Sequence, residues 1–314
     1  MTFATLPAEP SGAPKLDWVH FTSAGTNHVV QHPIYTDTNI TLTTSSGVHG
    51  PQIAEWVVLN ALAFSHNYNG YYENQKQKSW NRELKHKVRV EDFAGQRVGI
   101  LGYGSIGRQS KFLCGLFLLL LISQFPAGRL FKALGSNVIA YTAHPKNTPA
   151  ERADHGWTVP GTGDLDGSIP SAWFSGLDKA SLHKFLSQDL DVLVISVPLT
   201  KDTFHFIGAE EFAVLSKRKA FVTNISRGDI INQPALKAAL ESGQLRGAAI
   251  DVTTPEPLPA DDPLWDAPNL TITPHISGEG SAYAERALAI FETNLAHRDK
   301  GERLINVIDR RQGY

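Results

Sequence analysis

Residues 98–107 read Val98-Gly-Ile-Leu-Gly102-Tyr-Gly104-Ser105-Ile106-Gly107. A short apolar run leads directly into Gly-x-Gly-x-x-Gly, the pattern of a dinucleotide-binding strand–turn–helix. In that pattern the glycine at Gly102 permits the tight turn. The one at Gly104 lets backbone approach a pyrophosphate, and the one at Gly107 lets helix pack on strand.

The sequence downstream repeats this texture. Strands are predicted at Val98–Leu101, Asn137–Tyr141, Val192–Ser196, Ala220–Asn224, Gly247–Val252 and Leu270–Thr273. Helical or polar segments separate them. Buried β-branched strands alternating with helices predict an α/β fold, a doubly wound parallel sheet of Rossmann type. Upstream, Trp18-Val-His-Phe-Thr and Ile40-Thr-Leu-Thr-Thr read as strands, and 52–65 as a helix with Ile53, Trp56, Val57, Leu59, Leu62 and Ala63 on one stripe. Residues 66–92 are polar and aromatic and read as an exposed linker. A final helix is predicted over 282–296, with Ala284, Ala287, Leu288, Phe291 and Leu295 facing inward.

Composition narrows the function classes. At 314 residues the chain has room for two domains. The net charge of −2 gives no basic field for nucleic acid or an anionic membrane. Cys114 is the one cysteine, so no internal disulfide can form, as suits a reducing compartment. The N-terminus lacks the layout of a secretory signal, and the expected location is cytoplasmic. The apolar run Leu113–Ile122 is too short for a membrane span, which needs about 20 residues.

Three segments beyond the fingerprint carry reactive groups at strand ends. They are Asn224-Ile225-Ser226-Arg227-Gly228-Asp229, Asp251-Val-Thr-Thr-Pro-Glu256-Pro257 and Thr271-Ile-Thr-Pro-His275-Ile-Ser-Gly278. An Arg offers a planar fork to a carboxylate. A His and a Glu at neighbouring strand ends can pair so that imidazolium is available at neutral pH. Open α/β sheets bind ligands at the carboxyl ends of their strands, where all three segments would sit. No metal-ligand grouping is evident. At the end of the next strand, where a carboxylate would hold the adenosine ribose, stands Thr142. Its neutrality favours NADP over NAD, with His144 or Lys146 available to a phosphate.

These motifs, in this order, resemble the D-isomer-specific 2-hydroxyacid dehydrogenases, glyoxylate/hydroxypyruvate reductases among them. The resemblance runs from about Trp18 to the C-terminus. It is carried by Ser23-Ala24-Gly25-Thr26, Gly102–Gly107, Val197-Pro198-Leu199-Thr200 with Thr203, Ser226–Asp229, Asp251–Pro257 and Pro274–Gly278. It implies that Arg227 binds the substrate carboxylate, that His275 is the acid/base, and that Glu256 is its carboxylate partner and raises its pKa. Asp251 would contact the nicotinamide carboxamide. Gly102, Gly104, Ser105, Ile106, Gly107, Thr142, Pro198, Leu199, Thr203, Ile225, Ser226 and Gly278 would line the cofactor. Ala24 and Gly25 would grip the substrate carboxylate through backbone amides. The implied reaction moves a hydride between NAD(P)H and a small 2-keto or 2-hydroxy acid, in a homodimer. A non-catalytic, nucleotide-sensing relative of corepressor type is the alternative from another class.

Two departures from the family pattern stand out. The chain starts 22 residues before Ser23, which implies an N-terminally truncated flavodoxin-like substrate domain. The expected division is 1–92 with 280–314 for that domain and 93–279 for the dinucleotide-binding domain. Within the latter, Gly107 and Gly135 are 28 positions apart, and 110–127 has no polar face. Removing Lys111–Ala127, 17 residues, restores an amphipathic helix of ordinary length. An insertion at about 110–127 is the expectation, in the form of a translated intron, with a hydrophobic hairpin or partner-binding helix as the rival reading and a defective gene product as a further alternative.

Overall fold

Two parallel sheets organise the chain. The computed structural model describes residues 1–3, 5–26, 28–83, 90–104 and 127–310. In the smaller sheet β1 (Trp18–His20) pairs with β2 (Thr41–Thr43). The larger sheet has β3 (Arg97–Leu101), β4 (Asn137–Thr142), β5 (Ala172–Ser175), β6 (Val192–Ile195), β7 (Phe221–Asn224), β8 (Gly247–Ile250) and β9 (Leu270–Ile272). Its spatial order is β5-β4-β3-β6-β7-β8-β9, every pair parallel. The order reverses between β3 and β6, so a crevice opens outside their carboxyl ends.

Burial on both faces explains the apolar runs. All four residues of β6, Val-Leu-Val-Ile, are buried. On one face Leu182, Phe185, Phe212, Leu215, Leu236 and Leu240 form the core. They come from helices at Lys179–Leu186, Ala209–Leu215 and Gln233–Glu241. On the other, Trp56, Val57, Val98, Ile100, Phe131 and Val138 pack together. The helix Gly50–Ser65 thus lies against the larger sheet. Its Leu59, expected to face inward, is exposed, and Ala54, Val58 and Ala61 are buried instead.

The helix Ala127–Ala133 buries Phe131 completely and ends at Gly135, whose φ of +85° favours glycine. The proposed insertion, and with it Ser105, Ile106 and Gly107, lies outside the described residues but for Ala127.

The smaller sheet is extended by both ends of the chain. Thr2 N–H donates to His20 O and Thr22 N–H to Thr2 O, both at 2.9 Å. On the far side Ile308 N–H donates to Leu42 O at 2.9 Å. Val19, Phe21, Val29, Ile34, Leu42 and Ile308 form the core beneath. His20 is buried among polar partners, with Nδ1 2.8 Å from Thr43 Oγ1 and Nε2 3.1 Å from Ser45 Oγ. Burial lowers its pKa to about 4, and the positive N-terminus adds to the shift.

Several expectations are corrected. Strand β5 was not anticipated: it is a half-buried edge flanked by Gly, Ser and Pro, without a long apolar run. The stretch read as a linker contains a helix, Tyr68–Lys76, with no buried residue, so no apolar stripe marked it. The final helix, Tyr283–Asp299, buries Ala287, Ile290 and Asn294 rather than Ala284, Leu288 and Leu295. Asn294 earns its interior place by hydrogen bonding: its Oδ1 accepts Ile305 N–H at 2.8 Å and its Nδ2 donates to Ile305 O at 3.2 Å. Apolar periodicity cannot register a polar anchor of this kind. Among the described residues no helix is long and apolar enough to cross a membrane.

Candidate active site

The carboxyl ends of β3, β6, β7 and β9 open on one cleft of about 1430 Å³, which also reaches the smaller sheet. Gly104, Pro198, Arg227 and His275 line it from the larger sheet, and Ala24 and His49 from the other side.

The glycine turn meets its steric purpose. Gly102 has φ +97°, and a Cβ there would stand 2.7 Å from the backbone of Ser196 and Val197. At Gly104 a Cβ would meet nothing within 4 Å among the described residues, so this backbone faces open cleft. A cradle of that shape fits a dinucleotide, whose phosphates need bare backbone. Thr142 closes β4, its hydroxyl donating to His144 O at 2.7 Å, so that no carboxylate stands at that position.

Leu199, Ile225, Ser226 and Gly278 also line the cleft. Thr203 does not. It is buried and braces the loop instead, donating to Pro198 O at 2.6 Å and accepting Thr200 N–H at 2.8 Å.

Arg227 sits on a turn held by buried Asn224. The Asn224 Oδ1 accepts Ser226 N–H at 3.1 Å, and its Nδ2 donates to Arg227 O at 2.9 Å. Gly228 then passes so close to Thr253 that a Cβ would lie 2.1 Å from its carbonyl carbon. Burial draws the guanidinium pKa of Arg227 below its ordinary value, and the negative charge of Glu256 opposes that shift.

His275 and Glu256 form a pair. The His275 Nδ1 lies 2.9 Å from Glu256 Oε2. A carboxylate only accepts, so Nδ1 carries the proton and Nε2 is left for another partner. The other carboxylate oxygen of Glu256 accepts Thr253 N–H at 3.0 Å. His275 itself adopts left-handed backbone, φ 57°. Buried Asp251 holds that conformation: its Oδ1 accepts Ile276 N–H at 2.9 Å and its Oδ2 accepts Ser277 N–H at 2.8 Å. Its backbone carbonyl accepts His275 N–H at 2.8 Å. Asp251 therefore serves as the anchor of the histidine loop from a buried position.

Sequence reasoning named His49 only as a residue on which the substrate side-chain pocket depends, and assigned no role to Gln52 or Arg286. They meet at Gly278, whose carbonyl accepts His49 Nδ1–H at 2.9 Å and Gln52 Nε2–H at 3.0 Å. Arg286 donates to Gln52 Oε1 at 2.7 Å. No spacing or composition signal marks residues so far apart in sequence. Away from the cleft, His183, Glu210 and Glu211 have ligand-type atoms within 4.8 Å of one another. Glu211 there already receives Gly208 N–H, Lys179 and His183.

Comparison with known proteins agrees with this architecture. Residues 167–277 match the family described as D-isomer specific 2-hydroxyacid dehydrogenase, NAD binding domain. A glyoxylate reductase of Korarchaeum cryptofilum is 35% identical over 134 residues, covering 43% of this chain and 40% of that one. The chain thus aligns with well under half the length of that relative. A glyoxylate/hydroxypyruvate reductase A of Salmonella paratyphi B is 27% identical over 314 aligned positions, 98% of this chain and 85% of the relative. Among solved structures, an NADPH-dependent glyoxylate/hydroxypyruvate reductase of Sinorhizobium meliloti, in complex with NADP and sulfate, superposes with a TM-score of 0.71. It is 25% identical, and the match covers 97% of this chain and 82% of that one.

Proposed function

We propose that the chain, which resembles the D-isomer specific 2-hydroxyacid dehydrogenases, reduces small 2-keto acids with NADPH or NADH, forming D-2-hydroxy acids. The observation that carries this reading is the His275–Glu256 pair sharing one cleft with Arg227.

Gly102 and Gly104 would hold the cofactor by their backbone, with Pro198, Leu199, Ile225 and Ser226 along its length. Ser105, Ile106 and Gly107 belong to the same proposal. Thr142, neutral at the end of β4, supports NADP over NAD. A bound nicotinamide supplies the hydride. Arg227 receives the substrate carboxylate through its fork and draws electron density from the carbonyl. Ala24 and Gly25, on the opposite wall, receive the same carboxylate by backbone N–H. His275 turns Nε2 to the keto oxygen and delivers a proton there as charge develops. Glu256 keeps the ring in that orientation.

On this reading residues 1–92 and 280–314 make the substrate side and 93–279 the nucleotide side. A homodimer in the cytoplasm, without nucleic acid or membrane as partner, completes the proposal. The test is oxidation of NADPH and of NADH with glyoxylate and hydroxypyruvate. Turnover that disappears in His275→Ala while cofactor still binds is the expected result. Cofactor binding without turnover of any small keto acid would refute it.

A further inference from the structure

His49 stands at the start of the helix Gly50–Ser65 and lines the cleft together with Arg227 and His275. Its ring is held from two directions. Nδ1 bonds the Gly278 carbonyl at 2.9 Å, and the Tyr283 ring lies 5.0 Å away, centroid to centroid, tilted by 50°. Tyr283 is itself pinned, its hydroxyl donating to Thr22 O at 2.7 Å.

A carbonyl cannot donate, so Nδ1 must carry the proton. The chain from Arg286 through Gln52 to the same carbonyl reinforces this assignment. Arg286 can only donate, which makes Gln52 Oε1 its acceptor and turns Gln52 Nε2–H toward Gly278. Among the described residues, His49 Nε2 has no hydrogen-bond partner. Burial lowers the His49 pKa; the hydrogen bond to the Gly278 carbonyl opposes that shift, and the positive charges of His275, Arg286 and Arg227 reinforce it. The ring is therefore neutral at physiological pH, with a lone pair on Nε2. Arg227, which lines the same cleft, can only donate.

We propose that His49 is a specificity-determining residue, whose Nε2 accepts a hydrogen bond from a hydroxyl on the substrate carbon next to the keto group. This deepens the reductase reading and rests on it. The site would favour 3-hydroxy-2-keto acids over their methyl counterparts, because a lone acceptor in a half-buried wall loses its water without replacement when a methyl group faces it.

The test compares hydroxypyruvate with pyruvate, which differ only in that hydroxyl, in the unsubstituted protein, in His49→Phe and in His49→Gln. The unsubstituted protein should prefer hydroxypyruvate in kcat/KM. His49→Phe should lower that preference about tenfold, through the KM for hydroxypyruvate. His49→Gln, whose side-chain carbonyl can accept, should restore much of it. Any loss common to both substrates cancels in the ratio. No preference in the unsubstituted protein overturns the assignment without reference to any variant, and so does an unchanged ratio in His49→Phe. Glyoxylate lacks the carbon in question, so its turnover reports on the reductase reading separately. If glyoxylate is reduced and the hydroxypyruvate preference is absent, His49 alone is refuted. If no keto acid is reduced, the reductase reading fails and the assignment with it.

Discussion

The Nδ1 of His275 lies 2.9 Å from Oε2 of Glu256, and the two side chains are joined across 19 positions of sequence. Glu256 is a fixed partner, because its second oxygen is occupied by Thr253 N–H. Changing Glu256 to Gln preserves shape and removes the charge. The expected result is a fall in kcat of about 10²-fold for keto-acid reduction, with cofactor affinity kept. Steady-state kinetics beside cofactor fluorescence titration would check it, and an undiminished kcat would remove Glu256 from the mechanism.

Arg227 offers a planar fork, and Lys offers a point charge. Arg227→Lys should raise the KM for the keto acid and lower kcat/KM by about 10- to 100-fold, the worth of a charged hydrogen bond lost. Unaltered kinetics in this variant would mean that the carboxylate is held elsewhere.

The two described fingerprint glycines should fail differently. Gly102→Ala forces a side chain into positive φ and to 2.7 Å from the backbone of Ser196 and Val197, so thermal unfolding should come earlier. Gly104→Ala meets open space among the described residues, and its stability should stay within about 0.5 kcal/mol. Its NADPH affinity should nevertheless drop about tenfold or more, because the methyl group occupies the cradle. Unfolding curves and fluorescence titration on the two variants decide between these outcomes.

His20 gives stability a pH dependence. Its folded pKa is about 4, below the ordinary value of 6.5. Between those two pH values the unfolded chain binds a proton that the folded chain does not. Stability is therefore lost as pH falls through that window, by up to about 3 kcal/mol. Urea unfolding at pH 7.5 and at pH 4.5 would measure it. Replacing His20 with Asn should flatten that part of the profile, and an equally steep profile in the variant would assign the loss to other groups.

Much of the larger sheet is legible in the chain because parallel strands are buried on both faces. Val192–Ile195 and Phe221–Val222 are apolar because both faces of the sheet are covered. Edge strand β5 and the helix Tyr68–Lys76, which buries no residue, lack that constraint and leave little trace. In the final helix, buried Asn294 replaces an apolar contact by two hydrogen bonds, and reading only apolar positions puts the wrong face inward.

The chemistry divides along the same line. The glycine turn, Arg227, Glu256 and His275 are set by local needs: a backbone without side chains, a fork, a carboxylate and an imidazole at strand ends. The sequence by itself therefore determined the sheet class and the reactive groups. Only the tertiary structure decided how they are held. Asp251 is the anchor of the histidine loop, and Thr203 braces a loop from beneath. His49 reaches Gly278 across 229 positions. A hydrogen bond over such a separation imposes no periodicity on either segment. It exists because the parallel order of the strands and the return of the final helix bring those two walls within 3 Å of each other, about the length of a hydrogen bond.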